Sequence, residues 1–367
     1  MNIGIDARLW QETGVGRYIR ALVTQLGQID SHNHYSLFLT KSDFDRVKAP
    51  NERWQKILAD VHWHTVNEQL LMPRIYRQAQ LDLLHIPYFS VPLSTPQPFV
   101  VTIHDLIISH FATGLATTRI KPIYFAKRLG YQLVLRQAIS RAQKIITVSN
   151  IVKQQIVSEF GVKSDKVIVT LESGELENIP TLTQAPIAER FLLYVGNAYP
   201  HKNLRTLITA FVQLKKSDPN LRLVLIGKPD YFYESLKTWA KKMNYDTGIV
   251  FAGDVYNQDL ANWYKHATLL VFPSLAEGFG IPGLEAMSLG CPVVASDISI
   301  FHEIYNSAAL FFDPTNPKGM VETIERVIKN ETLRQKLITV GKNHARKFSW
   351  ATMAGQTLTI YENCTRL

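Results

Sequence analysis

The stretch Pro273-Ser274-Leu275-Ala276-Glu277-Gly278-Phe279-Gly280-Ile281-Pro282-Gly283-Leu284-Glu285-Ala286-Met287 decides the reading of this 367-residue chain. It joins the end of an apolar strand to a glycine-bearing turn and then to a helix. Pro282 falls in the first helical turn, where its missing N–H is no loss. Gly278 and Gly280 permit positive φ and close backbone approach. The free N–H groups at the helix start, aligned with the helix dipole, form an anion site. Glu277 sits on the turn and Glu285 early in the helix. Two carboxylates beside an anion site are electrostatically odd unless they accept hydrogen bonds from the hydroxyls of a ligand that also carries phosphate. A nucleotide sugar is such a ligand. Each half of the stretch alone would suit any strand-turn-helix with solvated glutamates; the whole arrangement is far more specific.

Working outward, the same alternation runs through the second half of the chain. Strands are expected at 191–195, 221–226, 249–252, 269–273, 293–296 and 308–312. Helices are expected at 203–215, 231–244, 258–266 and 281–289, and three more at 317–330, 331–347 and 350–363. The first half repeats the pattern, with strands expected at 3–7, 35–39, 61–66, 81–86, 99–103, 144–148 and 167–171. Helical spacing recurs at 69–80 and 120–142. Strand, helix, strand at short intervals means parallel pairing through right-handed crossovers. Between 172 and 190 the periodicity lapses into Ser, Gly, Glu, Asn, Pro and Thr, which marks an interdomain linker. The expected fold is α/β, two Rossmann-like domains facing across a cleft. Their bounds are 1–175 and 190–346, with a terminal helix, 347–367, packing back on the first domain. Ligands of such open sheets lie outside the carboxyl ends of the strands.

Composition agrees with an ordinary globular chain: 46% hydrophobic and 19% charged residues, with 19 Gly and 17 Pro. The two cysteines, Cys291 and Cys364, form neither a disulfide framework nor a metal cage, which fits a reducing cytoplasm. The N-terminus lacks the basic and apolar regions of a signal peptide, and no run of about 18 apolar residues suggests a membrane span. The net charge of +9 is localised. No acidic residue occurs between Asp105 and Glu159, whereas Arg119, Lys121, Lys127, Arg128, Arg136, Arg141, Lys144 and Lys153 do. Interleaved with Ile123, Tyr124, Phe125, Tyr131 and Leu135, this 119–153 element reads either as a core helix with a basic edge or as a helix at an anionic membrane surface. A nucleic-acid partner is not expected, because no recognition motif accompanies the charge.

Three further sites stand out, with one distractor. Tyr194-Val195-Gly196-Asn197-Ala198-Tyr199-Pro200-His201-Lys202-Asn203-Leu204 is again strand, turn and helix start, and a cation there runs against the local dipole. His104 and Asp105 end an apolar strand at its carboxyl tip, with Asp105 able to orient the imidazole or cap the next helix. Thr13-Gly14-Val15-Gly16-Arg17 follows the first strand, but it is not a dinucleotide fingerprint and also suits an ordinary helix start. Asp43-Phe44-Asp45 has the D-x-D pattern of metal-dependent transferases; its place at a helix N-cap argues for a solvent-facing pair that binds no metal.

The Glu277-to-Glu285 spacing resembles the E-x7-E signature of the retaining GT-B glycosyltransferases of family 4, the group 1 glycosyl transferases, and the resemblance covers essentially the whole chain. It implies that Glu277 contacts donor-sugar hydroxyls, that Glu285 holds the ribose, and that the backbone from Gly278 through Phe279 and Gly280 to Ile281 meets the diphosphate. Lys202 would then contact the diphosphate, where a fixed cation can replace a metal ion, so no metal and no cofactor are expected. His104 would lie near the acceptor side of the sugar, and Gly16 near the donor phosphates or the acceptor. Many members carry Arg where this chain has Asn197; the G-N-x-x-x-H-K-N form is similar to mannosyltransferase-like members. GDP-mannose is therefore the favoured donor and a UDP-sugar the alternative. Lys228 and the 253–256 loop are assigned to the base pocket. The catalytic set is His104, Glu277 and Lys202, and the acceptor is a glycan or lipid-linked hydroxyl. An epimerase or hydrolase on the same fold is the competing reading.

Overall fold

The computed structural model describes residues 1–110, 121–176, 184–255 and 257–365. The chain divides into two compact units, Met1–Glu172 with Trp350–Leu367, and Ser173–Ser349. Each is a parallel sheet flanked by helices.

The first unit holds seven strands: β1 Asn2–Asp6, β2 His34–Leu39, β3 Trp54–Leu58, β4 Leu83–Ile86, β5 Phe99–Ile103, β6 Lys144–Thr147 and β7 Val167–Val169. They lie in the order β3-β2-β1-β4-β5-β6-β7, all parallel. Covered on both faces, the central strands β4 and β5 are buried at every residue and apolar except for His85 and Thr102, which pair with each other at 2.8 Å. The core beneath β4 to β7 is closed by Met72 and Tyr76 from one helix and Leu135, Ala138 and Ile139 from another. The C-terminal helix Trp350–Thr365 packs on the helix Gly14–Ile29 and on β4 and β6.

The second unit holds β8 Phe191–Val195, β9 Arg222–Ile226, β10 Ile249–Gly253, β11 Leu269–Phe272, β12 Val293–Ser296 and β13 Ala309–Phe312. Its order is β10-β9-β8-β11-β12-β13, again all parallel. In its own strand numbering the second sheet therefore runs 3-2-1-4-5-6, the doubly wound order, and the first runs the same way with a seventh strand added at its edge; β1/β4 and β8/β11 are the points where the order reverses.

Two sequence expectations need correction. Residues 61–66 are not a strand; the third strand is Trp54–Leu58. His64 takes φ 59°, and Thr65 caps the helix Val66–Gln78 by accepting from Glu68 N at 3.1 Å, while Glu68 Oε2 accepts from His64 N at 2.8 Å. This is a capping arrangement hidden inside an alternating pattern. Asp43 does not face solvent: it is 2% exposed and accepts from Gln11 Nε2 at 2.8 Å and Thr40 Oγ1 at 3.1 Å, so its side chain ties local structure together. Both cysteines are buried and unbridged, and burial pushes the Cys291 thiol up to about 12.

Candidate active site

The second unit brings together most of the residues singled out in the sequence. β8 ends in a turn whose form is fixed by Tyr194, which donates to Asn197 O at 2.7 Å, and by Tyr233, which donates to Gly196 O at 2.8 Å. Gly196 needs its φ of 150°, and a Cβ on neighbouring Gly227 would lie 2.1 Å from Gly196 O, so the loops after β8 and β9 touch backbone to backbone. A short 3-10 turn, Pro200–Lys202, follows, and Asn203 in the left-handed region then starts the helix Leu204–Ser217. This turn is fastened to the loop after β11. Leu275 N donates to His201 O at 2.7 Å, and Asn203 Nδ2 donates to Pro273 O at 3.1 Å.

That fastening sets Lys202 against Glu277. The Nζ–Oε1 distance is 2.6 Å, with the side chains only 13% and 9% exposed. The pair uses one of the three ammonium hydrogens, leaving two for an incoming anion. Burial first, and then the charge of Lys202, hold His201 down at about 4, so His201 is neutral near pH 7 and Lys202 carries the local positive charge.

Past Glu277, Gly280 adopts φ 107° as the N-cap of the helix Ile281–Ser288. Tyr305 donates to Gly280 O at 2.5 Å, and its ring lies where Gly283 has no side chain. The amides of this first turn carry the helix's positive end. Phe279 turns its ring inward, edge-on to Phe348 at 5.9 Å, so its contribution to a ligand would be backbone. Glu285 is buried, and its Oε2 accepts from Tyr264 at 2.5 Å. Asn197 Oδ1 accepts from Tyr199 N at 3.3 Å, a turn-capping role. Lys228, after β9, is exposed. Of the 253–256 loop, Tyr256 lies outside the described residues.

Gly16 and His104 belong to the first unit. Gly16 lies in the first turn of the helix Gly14–Ile29 and is bare for an internal reason: a Cβ there would sit 2.6 Å from the carbonyl oxygens of Leu9 and Trp10. His104 follows β5. Its Nε2 is 3.1 Å from Pro87 O, and its Nδ1 is 3.2 Å from Glu172 Oε1. Asp105 takes the capping alternative, accepting from Ile107 N at 2.9 Å.

Glu172 and Gly174 were missed, since both fall where the sequence read as linker. Glu172 stands just beyond the carboxyl end of β7, the position at which an acid should have drawn notice. Gly174 packs on the opening of the Glu285 helix, where a Cβ would lie 2.4 Å from Glu285 N. The partners Tyr264 and Tyr305 carried no sequence signal beyond being aromatic. Among the described residues, no group of three or more His, Cys, Asp or Glu side chains is placed to hold a metal ion.

Two doubly wound units, one with a lysine-glutamate pair beside a helix N-terminus at the strand-order reversal, define a glycosyltransferase of the GT-B type. Family models match both halves: "Glycosyltransferase Family 4" over residues 13–170 and "Glycosyl transferases group 1" over residues 180–344. The chain belongs to this glycosyltransferase family. It is 28% identical to the O-antigen chain mannosyltransferase B of Escherichia coli, covering 95% of this chain and 96% of that one. It is also 28% identical to the O-antigen chain mannosyltransferase RfbU of Salmonella typhimurium, over 72% of this chain and 70% of the other. The fold matches Anabaena HepE, solved in complex with UDP and glucose, with a TM-score of 0.76 at 15% identity over 99% and 100% of the two chains.

Proposed function

We propose that this glycosyltransferase moves a hexose, mannose in the first instance, from a nucleotide-diphosphate sugar to a hydroxyl of a glycan or lipid-linked acceptor with retention of the anomeric configuration. GDP-mannose is the favoured donor and a UDP-sugar the alternative. The observation that carries the reading is the Lys202–Glu277 pair, held at 2.6 Å by loops that follow β8 and β11. A cation and a hydroxyl-accepting carboxylate beside free helix amides match a sugar joined to a diphosphate. The choice of mannose is supported by the names of the two O-antigen relatives.

In the reaction, the bond from the anomeric carbon to the diphosphate oxygen breaks and its electron pair leaves with the diphosphate. The acceptor oxygen bonds to the same face of that carbon, and its proton passes to the departing phosphate oxygen. Lys202 and the amides of Gly280 and Ile281 oppose the charge that develops on the diphosphate, a role preorganised donors fill without a metal ion. Glu277 holds the sugar hydroxyls, and Glu285, whose carboxylate can accept more than the one Tyr264 hydrogen bond, holds the ribose. His104 is proposed as a positioning group for the transferred sugar.

The proposed setting is cytoplasmic, at the inner face of the plasma membrane. No helix among the described residues is long and apolar enough to cross a membrane. In the helix Lys121–Arg141, Leu129 and Leu133 are 68% and 52% exposed, four residues apart, near exposed Arg136. Such a face suits an anionic bilayer. Failure to bind anionic vesicles in a salt-sensitive way removes this part of the proposal.

The donor is tested by thermal stabilisation against GDP-, UDP- and ADP-sugars. A ligand at about 100 times its dissociation constant adds about 2.7 kcal/mol. A single responding nucleotide, lost in Lys202→Ala, is the expected result; silence across the panel overturns the donor assignment. Donor turnover that needs no acceptor would favour an epimerase or hydrolase instead.

A further inference from the structure

His104 is faced by acceptors at both ring nitrogens. Pro87 O lies 3.1 Å from Nε2, and Glu172 Oε1 lies 3.2 Å from Nδ1. A carbonyl and a carboxylate oxygen can only accept. A neutral imidazole has one N–H and would turn its remaining lone pair onto one of these oxygens, whereas the imidazolium satisfies both. The two side chains are 12% and 5% exposed, so water does little to relieve a mismatch. Tyr18 closes another side, with its ring edge-on at 4.9 Å and 85°.

The other groups facing this ring agree with a charge on it. Asp105, the next residue, is negative and favours it. His85 opposes it, but burial holds His85 down at about 3, so that ring is neutral. Its nitrogens meet hydroxyls, Thr102 Oγ1 at 2.8 Å and Tyr361 at 2.5 Å, which can donate or accept and so demand no charge. A buried histidine in β4 and a partly buried one just after β5 are thus sorted by their neighbours: hydroxyls around His85, acceptor-only oxygens around His104.

We infer that Glu172 is a positioning residue that holds His104 as an imidazolium with both N–H groups committed, so that His104 enters the reaction as a fixed positive charge and not as a base. The part of this inference that concerns the reaction rests on the proposed glycosyl transfer; the part that concerns the ring does not. Burial of the ring works against the charge. The hydrogen bond and charge of Glu172, with Pro87 O and Asp105, outweigh it and raise the pKa above its ordinary 6.5. With both ring N–H groups committed to Glu172 and Pro87, His104 has no lone pair with which to take the acceptor proton.

The test is Glu172→Gln in the full chain, with His104 followed by NMR of its ring and kcat/KM for the donor measured across pH. Glutamine keeps the shape, and its amide can donate to an unprotonated Nδ1, so the variant no longer demands an imidazolium. His104 is expected to titrate above 6.5 in the wild type and below 6.5 in E172Q, with the alkaline limb of the activity profile moving the same way. Glu172→Asp should restore part of the shift. A wild-type midpoint at or below 6.5, or the same midpoint in both proteins, overturns the inference. If E172Q does not fold, the wild-type midpoint alone decides. Titration as expected with no donor turnover would uphold the role of Glu172 and strike instead at glycosyl transfer.

Discussion

Replacing Arg8 with methionine should destabilise the first unit by about 3–4 kcal/mol at pH 7 and by less than half of that at pH 5. Arg8 leaves β1 and is almost wholly buried, with Asp6 Oδ2 at 2.6 Å and Glu68 Oε1 at 2.8 Å, both carboxylates also buried. It also donates to Val61 O at 2.9 Å. Removing one partner of a buried ion pair costs about 3–5 kcal/mol, because the other charge is left unpaired. A ceiling comes from protonation, since an abandoned carboxylate can take a proton at about 1.36 kcal/mol per pH unit above its ordinary pKa. At pH 7 that is about 4.2 kcal/mol for an aspartate and about 1.5 kcal/mol at pH 5. One proton suffices, because Asp6 keeps the Tyr76 hydroxyl at 2.7 Å and Glu68 keeps Ser90 Oγ at 2.7 Å and His64 N at 2.8 Å.

The sign follows from the wild type. Burial alone would raise the Asp6 pKa, but Arg8 and Tyr76 bring it below 3.8, so its stabilisation is present above that value and is lost as pH falls through the folded pKa. Without the guanidinium the shift reverses, and the variant gains on acidification. For a unit of this size, about 3–4 kcal/mol is a Tm drop of about 6–16 °C. Thermal unfolding by circular dichroism at both pH values reads it. A variant within about 1 kcal/mol of the wild type at pH 7, or a gap unchanged at pH 5, refutes the reasoning.

Gly283→Ala should lose about 1–3 kcal/mol, because its Cβ would lie 2.3 Å from Tyr305 Cζ and 2.4 Å from its hydroxyl, whereas Gly14→Ala meets nothing within 4 Å. Chemical denaturation of the two variants should separate them, and equal midpoints would sink the packing argument. Glu285→Gln should weaken GDP binding about tenfold in calorimetry, since a charged acceptor of ligand hydroxyls becomes a neutral one; unchanged affinity excludes Glu285 from the site. The raised pKa of His104 means that its pairing with Glu172 stabilises the fold fully below 6.5 and fades as pH rises through the folded value. The stability gap between wild type and E172Q should therefore close on going from pH 6 to pH 9, and a gap that widens contradicts the pairing.

The doubly wound architecture was legible because buried parallel strands are written as apolar runs, as in Phe191–Val195 and Leu269–Phe272. Glu277, Lys202 and the Gly280 turn were legible because turn chemistry is local. What escaped was nonlocal or disguised. The 61–66 segment alternates like a strand, yet a positive φ at His64 and the Thr65 cap turn it into a helix entry. Glu172 is 68 residues from His104 in the chain, and only the β5-β6-β7 pairing brings the two together. Gly174 was read as linker because a glycine's close contact with Glu285 leaves no periodic signal. Asp43 read as exposed because its partner, Gln11, lies 32 residues away.

The central claim is tested most directly by incubating the purified chain with GDP-mannose and a lipid-linked glycan acceptor and weighing the products by mass spectrometry. The acceptor should gain one hexose while GDP appears in equal amount, and both should depend on Lys202 and Glu277. GDP-mannose consumed at the same rate without acceptor, or transfer undiminished in Lys202→Ala, would contradict it.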